Sequence, residues 1–369
     1  MLNGIRVLDL TRVLAGPFCT MMLGDMGAEV IKVERPGSGD ETRGWGPPFD
    51  ENGESAYFLS ANRNKLSIAL DIDDSLDREL IASLATEADV VVDNFRRGTL
   101  ERRGLDPDSL MRRNPALIWC TITGFGPNSA RPGYDFVTQA ECGWMAITGE
   151  PDGDPMKVGV ALADVLAAKD AAAAILAALV ARSRSGSGRR LFISLVDSAR
   201  AALVNVAQNV LVSGKDATRW GNAHPNIVPY QLFEAEDRPL VVAVGSDAQW
   251  VSCARALGLE GLADDPRLAT NAGRLPQRER IIKEFSSRLR ERPAAVWLAR
   301  LEEAGVPAGV VKTVREVTDD AKGSAQTGMP ASVGDTLRFP PPRLDQHGSV
   351  IRHSGWRVFD LTFGQSDVR

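Results

Sequence analysis

The chain has 369 residues, of which 44% are hydrophobic and 25% are charged, and this composition excludes a disordered or fibrous protein. At roughly 150 residues per domain, the length predicts two domains. The 43 Lys and Arg and 48 Asp and Glu leave a formal charge of −5 without a basic cluster, so nucleic-acid binding and a polybasic membrane anchor are excluded.

Cysteine and histidine usage predicts neither a disulfide framework nor a metal centre. The four cysteines are widely spaced without a Cys-x-x-Cys pair, and the three histidines form no i, i+4 pair. The N-terminus lacks the pattern of a signal peptide, and the longest apolar run, residues 171–181, is too short to span a bilayer. We therefore expect a soluble, cytoplasmic protein without a metal.

Short apolar strands and helices alternate over the first third of the chain. The predicted elements lie at residues 5–10, 17–26, 29–33, 67–70, 75–88, 90–92 and 117–123. This order is typical of a doubly wound parallel α/β domain, in which ligands bind beyond the carboxyl ends of the strands.

The second half of the chain continues with helices and strands and ends in a Gly- and Pro-rich tail. An Ala-rich helix follows Asp164, and further elements are predicted at 191–195, 197–211, 240–244, 247–257, 274–289 and 294–304. The tail with Pro340, Pro341 and Pro342 predicts an extended connector back to the first domain. The predicted boundaries are a large domain of 1–205 and 330–369, a small domain of 222–325, and linkers at 206–221 and 326–340.

Basic and aromatic residues follow several predicted strands. The turn at 11–17 has no dinucleotide or Walker A fingerprint, so it is either a helix N-terminus that holds a phosphate or a simple crossover turn. Residues 32–36, and 94–98 with Arg102, can contact phosphates and stack an adenine. The alternative for both segments is a solvated surface charge.

Asp164 stands where an apolar segment ends and a long helix begins. This position predicts a helix N-cap whose carboxylate stays ionised beside the helix dipole. Such a carboxylate can also act as a nucleophile toward a thioester, and the two roles are compatible.

Several ordered motifs along the chain match one known family. They lie at residues 12–17, 24–34, 62–65, 94–96, 159–161 with Asp164, 265–267, 304–307 and 341–342 with Gln346 and His347. Together they resemble the class III CoA-transferases of the formyl-CoA transferase type, over nearly the whole chain. The resemblance implies an α/β fold, with a Rossmann-like large domain and an inserted smaller α/β domain, in an interlocked homodimer. It implies acyl-CoA and a small organic acid as substrates and no tightly bound cofactor.

The resemblance also implies a mechanism and its residues. Asp164 is the nucleophile that passes through a mixed anhydride and an aspartyl-CoA thioester, and Asp135 orients it. The CoA contacts of the family fall on Val13, Arg35, Leu70, Asn94, Phe95 and Arg102.

Two departures from relatives refine this interpretation. Acyl-CoA racemases of this fold carry a histidine where this chain has Tyr134, so the two-base proton transfer of a racemase lacks one partner. Transferase activity is therefore favoured, with an acyl-CoA racemase or epimerase as the alternative. Formyl- and oxalyl-CoA members carry a glutamine at the position of Leu14, and this difference disfavours those substrates.

Residues 42–49, 149–155 and 219–231 resemble the branch of the family that acts on succinate and glutarate-type acids. A dicarboxylate needs a cation for its distal carboxylate, and the candidates are Arg43, Arg219 and His224. Packing at the domain junction is the alternative for His224. The predicted substrate pocket also includes Leu14, Trp45, Tyr57 and Tyr134. The expected reaction moves CoA from a succinyl-CoA-like donor to a carboxylic acid, expected to be a dicarboxylic one.

Overall fold

The computed structural model describes residues 1–320, 333 and 337–363, and these form two compact units. The first unit contains residues 1–144 and 157–214 together with the described residues from 333 onward. The second contains residues 145–156 and 215–320. The predicted domain boundaries stay a prediction, and most of the predicted linker 326–340 lies outside the described residues.

The first unit is built on a parallel sheet. Its strands are β1 (Arg6–Leu10), β2 (Glu29–Glu34), β3 (Lys65–Ala69), β4 (Val90–Asp93), β5 (Ile118–Thr123) and β6 (Arg190–Ser194). Among the described residues these six strands form one sheet in the order β3-β2-β1-β4-β5-β6. The chain thus reverses its direction of growth between β1 and β4, as in a Rossmann-like α/β fold.

Helices of the first unit connect and cover these strands, and further helices belong to the second unit. In chain order they are α1 (Ala15–Asp25), α2 (Ala56–Leu59), α3 (Ser75–Glu87), α4 (Pro107–Arg113), α5 (Asp135–Glu141), α6 (Trp144–Ile147), α7 (Leu162–Ser185), α8 (Leu195–Ala201), α9 (Val204–Ser213), α10 (Asp247–Ala256), α11 (Glu260–Ala263), α12 (Asn271–Arg274), α13 (Arg278–Leu289), α14 (Ala294–Glu303), α15 (Val314–Asp320), α16 (Gly348–Ser354) and α17 (Val358–Phe363). None of the helices in the described part of the chain is long and apolar enough to cross a membrane.

Alternate residues of each strand face opposite layers of helices, which is why strands β1 to β5 are almost entirely buried. Val7 packs on the side of α1 and α7, where the small side chains of α7, such as Ala167 and Ala171, allow close helix contact. Leu8 points to the other layer, which contains α3 and the C-terminal Trp356. Trp356 donates its indole N–H to the carbonyl of Leu84 (3.0 Å), so the tail packs on this unit.

The second unit differs in the pairing of its strands. Among its described residues, β7 (Tyr230–Glu234), β8 (Pro239–Ala243) and β9 (Ala308–Val310) form an antiparallel sheet. Its core joins Leu240 of β8 to Trp250, Phe285 and Trp297 on α10, α13 and α14.

Several elements differ from the predicted ones. Strands β7 and β9 and helices α4 and α5 were absent from the prediction, because each is at most seven residues long and its apolar periodicity is weak. The helix predicted over 197–211 is divided into α8 and α9. Val204, at the start of α9, has a φ of +39°.

Candidate active site

A loop of unusual backbone conformation follows β1. Val13 has a φ of +71°, a left-handed conformation that β-branched residues rarely adopt. Its N–H group donates to the carboxylate of Asp40 (3.2 Å), while the side-chain amide of Asn94 accepts from the N–H of Arg12 (3.0 Å) and donates to its carbonyl (2.7 Å). Side chains from two other loops therefore hold this turn in place.

Buried ion pairs lie beneath this loop. Lys32 pairs with Asp40 (Nζ to Oδ2, 3.0 Å), and Lys65 pairs with Asp9 (Nζ to Oδ2, 2.9 Å); all four side chains are fully buried. Lys32 also donates to the carbonyl of Thr11 (2.9 Å). Although burial acts against ionisation, the charges of Lys65 and Lys32 hold the pKa of Asp9 well below its usual range. Lys32 thus supports the loop from within a buried ion pair. For this lysine, the interpretation of residues 32–36 as a phosphate-contacting segment is therefore wrong.

Glycines allow two close approaches of the backbone at this edge of the sheet. A Cβ atom on Gly16 would lie 2.3 Å from the Cβ of Thr11, so α1 can begin directly beside the loop only with glycine there. A Cβ atom on Gly133 would lie 2.3 Å from the Cα of Gly124. This second crossing brings the start of α5, with Tyr134 and Asp135, beside the end of β5.

Asp164 lies in the first turn of α7. The N-cap residue of this helix is Ala161, so the predicted N-cap role of Asp164 is wrong. In the part of the chain that the structure describes, no donor hydrogen-bonds the Asp164 carboxylate. Burial, followed by the negative charge of Asp135, raises the pKa of Asp164 to about 7, so the expected fully ionised carboxylate is also corrected.

Asp135 and Gln139 fix the segment that leads into Asp164. Asp135 accepts from the N–H of Ala163 (2.8 Å) and from the side-chain amide of Gln139 (2.7 Å). The oxygen of the Gln139 amide accepts from the N–H of Val158 (2.8 Å). Sequence reasoning missed Gln139, although its i, i+4 spacing from Asp135 was a usable signal once a helix was assigned there.

Two cavities open at the carboxyl ends of the strands. The first has a volume of about 490 Å³, and the predicted site residues on its wall are Val13, Leu14, Asn94, Phe95, Tyr134 and Asp164. The second has a volume of about 400 Å³, and the predicted site residues on its wall are Arg35, Leu70 and Phe95. Asp164 and most of the predicted CoA contacts thus line one or the other of these two cavities in the first unit.

Arg12 and Phe95 line both cavities. The Arg12 guanidinium lies 5.6 Å from the centre of the Phe95 ring and pairs with Glu41. Arg102 differs from the other predicted CoA contacts, because it is exposed, lines neither cavity and has its guanidinium beside Gly98. Its role toward CoA stays a prediction.

Trp45 and Tyr57 form an edge-to-face pair with their ring centres 5.1 Å apart. Burial, together with the negative charges of Asp164 and Asp135, raises the pKa of Tyr57 to about 12. The Tyr57 phenol is therefore protonated at neutral pH and lies near the Asp164 carboxylate.

Arg43 is already paired with carboxylates. It contacts Glu34 through two nitrogens (both 2.8 Å) and Glu54 through a third (2.7 Å), and its guanidinium stacks 3.6 Å from the centre of the Phe58 ring. These partners neutralise its charge, and its predicted contact with a substrate carboxylate stays a prediction.

The other two predicted cations lie in the second unit. Arg219 donates to the carbonyls of Glu150 (3.0 Å) and Gly153 (2.7 Å). Burial, followed by the positive charge of Arg278, lowers the pKa of His224. His224 is therefore neutral at neutral pH, so it can offer a hydrogen bond but not a fixed charge; the substrate roles of Arg219 and His224 stay predictions.

The comparison with known families identifies the class of protein. The model of CoA-transferase family III matches residues 2–356. The chain belongs to CoA-transferase family III and is a CoA-transferase, so the resemblance recognised from the sequence motifs is confirmed.

Individual relatives are similar over most of their length. The chain is 44% identical to succinate–glutarate CoA-transferase of Agrobacterium fabrum, over 95% of this chain and 94% of that protein. It is 43% identical to succinyl-CoA:glutarate CoA-transferase of Mus musculus, over 94% and 84%. A crystal structure of a CAIB/BAIF family protein from Brucella suis superposes with a TM-score of 0.85 at 42% identity, covering 95% of this chain and 98% of that one.

Proposed function

We propose that this enzyme moves CoA from succinyl-CoA to a dicarboxylic acid such as glutarate, with Asp164 as the nucleophile. The observation that carries this proposal is an Asp164 carboxylate that has no hydrogen-bond donor among the described residues and lines the 490 Å³ cavity. The names of the mouse and Agrobacterium relatives support the choice of substrates.

The state of this carboxylate suits a nucleophile. With a pKa of about 7, Asp164 is more basic than an ordinary aspartate, and a large fraction of it is still ionised at neutral pH. A carboxylate that is neither paired nor hydrogen-bonded gives up little stabilisation when it attacks a carbonyl carbon. In an aspartate with a purely structural role, a shielded carboxylate without a partner would only lower the stability of the folded protein.

The two cavities suggest how CoA lies in the first unit. The nucleotide end fits the second cavity, where Arg35 and Leu70 line the wall. The pantetheine arm then passes Arg12 and Phe95, which both cavities share, and brings the thioester to Asp164. This placement uses basic and aromatic groups for the nucleotide and brings the reacting atoms to the Asp164 carboxylate.

The proposed reaction requires no proton transfer. An Asp164 oxygen attacks the acyl carbon, the carbon–sulfur bond breaks, and CoA leaves as a thiolate with a mixed anhydride on the enzyme. The thiolate attacks the aspartyl carbonyl, which releases the donor acid and forms an aspartyl-CoA thioester. The acceptor carboxylate then attacks the aspartyl carbonyl and expels the thiolate, and the thiolate attacks the acyl carbon of this second anhydride, forming the new acyl-CoA and freeing Asp164.

The wall of the first cavity agrees with such a reaction. Among the residues that line it there is no His, the side chain most often used for proton transfer. Each step instead exchanges one acyl leaving group for another, and the protein supplies orientation and a site that limits hydrolysis of the anhydrides.

We also propose that the enzyme is an interlocked homodimer with the second unit as an inserted domain. Helix α9 supports an assembly, because none of its residues is buried and Val204, Leu211 and Val212 are at least 70% exposed. Light scattering on the purified protein checks this state, and we expect twice the mass of 39.8 kDa. A monomer at micromolar concentration would contradict it.

The substrate proposal is tested by incubating the enzyme with succinyl-CoA and a panel of carboxylic acids, with products measured by mass spectrometry. We expect glutaryl-CoA and related dicarboxylyl-CoA esters, and little product with monocarboxylic acids. A parallel incubation of a branched acyl-CoA in deuterated water tests the racemase alternative. Deuterium at the α-carbon without CoA transfer would contradict the proposal.

A further inference from the structure

We infer that Gln139 is a positioning residue that holds the 158–163 segment and Asp135 in the arrangement that presents Asp164 to the cavity. This inference rests on the proposed role of Asp164 as the nucleophile. It assigns a function to a fully buried polar side chain that does not itself reach the reacting atoms.

Both ends of the Gln139 amide are used. The oxygen accepts from the N–H of Val158 (2.8 Å), and the nitrogen donates to Asp135 Oδ2 (2.7 Å) and approaches the carbonyl of Val160 (3.3 Å). Burial without these partners would leave two polar groups unsatisfied, which is strongly unfavourable. The side chain therefore has one defined position, and it fixes the start of the segment.

Asp135 continues the connection to the end of the segment. Its second oxygen accepts from the N–H of Ala163 (2.8 Å), and Ala163 directly precedes Asp164. Gln139 and Asp135 thus tie both ends of a six-residue segment to helix α5, and with it the backbone from which the nucleophile projects. Because these contacts also orient Asp135, they set the position of the negative charge that acts on Asp164.

These contacts require a side chain of this length with both an acceptor and a donor at its end. Leu provides neither group, so it leaves the N–H of Val158 and the Oδ2 atom of Asp135 without a partner. Asn has the same groups but is one methylene shorter. A protonated Glu can replace the amide, whereas an ionised Glu has no donor and is repelled by Asp135.

The experiment compares Gln139→Leu, Gln139→Asn and Gln139→Glu with the wild type, using kcat and KM for succinyl-CoA and glutarate. A matched control is Thr138→Val, because Thr138 is the neighbouring, equally buried residue of α5 and its hydroxyl has no partner among the described residues. We expect kcat to fall roughly 100-fold in Gln139→Leu, the effect of misplacing a reacting group by about 1 Å. The KM for succinyl-CoA and the activity of Thr138→Val should stay within about twofold of wild type.

The pH dependence of Gln139→Glu separates positioning from a general loss of stability. The titratable and charged groups near this site are Asp135 and Glu141 on α5, Cys142 at its C-terminal end, Asp164 on α7, Arg200 on α8, and Tyr57; all are present in both proteins. Burial beside Asp135 raises the pKa of an introduced Glu. We therefore expect the ratio of the Gln139→Glu rate to the wild-type rate to fall as the pH rises from 6 to 9.

The outcomes are distinct. If Gln139→Leu fails to fold, Gln139→Glu still decides the question, because a protonated Glu preserves the contacts. Wild-type kcat in the Gln139 variants, or a pH-independent rate ratio for Gln139→Glu, would overturn the positioning role while leaving Asp164 as the nucleophile. If CoA transfer does not depend on Asp164, so that an Asp164 variant is as active as the wild type, the proposed function itself is overturned instead.

Discussion

Two carboxylates at the same edge of the sheet have opposite electrostatic states. Asp9 is fully buried, pairs with Lys65 (2.9 Å) and accepts from the hydroxyls of Thr11 (2.5 Å) and Thr20 (2.7 Å), and its pKa is held well below the usual range. Asp164 is largely shielded from solvent, has no such partner among the residues that the structure describes, faces Asp135, and has a pKa of about 7. Pairing, more than burial, therefore decides whether a shielded carboxylate here is a fixed charge or a reactive group.

The loop that contains Val13 and the surroundings of Asp164 are held in place in different ways. The ion pairs of Asp9 and Asp40 fix the loop that contains Val13, and buried pairs of this kind are costly to break from one side. Asp164 is positioned indirectly, through the contacts of Asp135 and Gln139 with the backbone of the preceding segment. The neighbours of Asp164 are fixed while its own oxygens are left free to react.

Removing the unpaired carboxylate tests the comparison with the largest expected effect. We expect Asp164→Asn to lower kcat for CoA exchange at least about 1,000-fold, because the covalent route loses its nucleophile. Asp170→Asn is the matched control, since Asp170 lies on the same helix and is exposed. Exchange assayed by mass spectrometry checks both variants, and a rate above one-tenth of wild type for Asp164→Asn would contradict the assignment.

Breaking a paired carboxylate should affect stability instead. Lys65→Met leaves Asp9 buried without its cation, so we expect the free energy of unfolding to fall by about 3–5 kcal/mol. Denaturant unfolding measures this change. The double variant with Asp9→Asn should recover part of the loss, and equal instability of the single and double variants would contradict the pairing account.

The close approach of two loops should also be sensitive to size. A methyl group on Gly133 meets the backbone of Gly124, so Gly133→Ala should lower the free energy of unfolding by about 1–3 kcal/mol. Gly44→Ala provides the control, because a Cβ there has no heavy atom within 4 Å. Equal melting temperatures of the two variants would show that the crossing at Gly133 tolerates a side chain.

The smallest expected effect is a displacement of the pH profile. Asp164 attacks as the anion, so the wild-type rate should rise with pH through about 7 and then level off. The negative charge of Asp135 disfavours that anion, so Asp135→Asn should move the rising limb to lower pH. Rates of CoA exchange between pH 5.5 and 8.5 measure the shift, and a limb that moves to higher pH would contradict the sign.

Much of the parallel sheet could be predicted, because its apolar strands separated by helices are a strong periodic signal. The strands predicted at 5–10, 29–33 and 90–92 agree with β1, β2 and β4 to within about a residue. The antiparallel pairing in the second unit was not predictable from strands as short as β9, which has three residues. Pairing direction there depends on contacts distant in sequence.

Prediction of the candidate site was limited in the same way, by contacts between residues that are distant in sequence. Asp164 was singled out by its position at the start of a helix, and the family resemblance added Asp135. Lys32 was taken for part of a phosphate-contacting segment and lies in a buried ion pair. Nothing local distinguishes a lysine that will pair with Asp40 from one that reaches a ligand, because the partner comes from a different loop. Gln139 was missed for the related reason that its helix is short.

The most direct test of the central claim is the chemical state of Asp164 during turnover. The enzyme is incubated with succinyl-CoA alone, treated with hydroxylamine, digested, and the peptide that contains Asp164 is measured by mass spectrometry. We expect a hydroxamate on Asp164 that appears only when succinyl-CoA is present and disappears when glutarate is added before trapping. CoA exchange at the normal rate with Asp164 never modified, or a hydroxamate on a different carboxylate, would contradict the account.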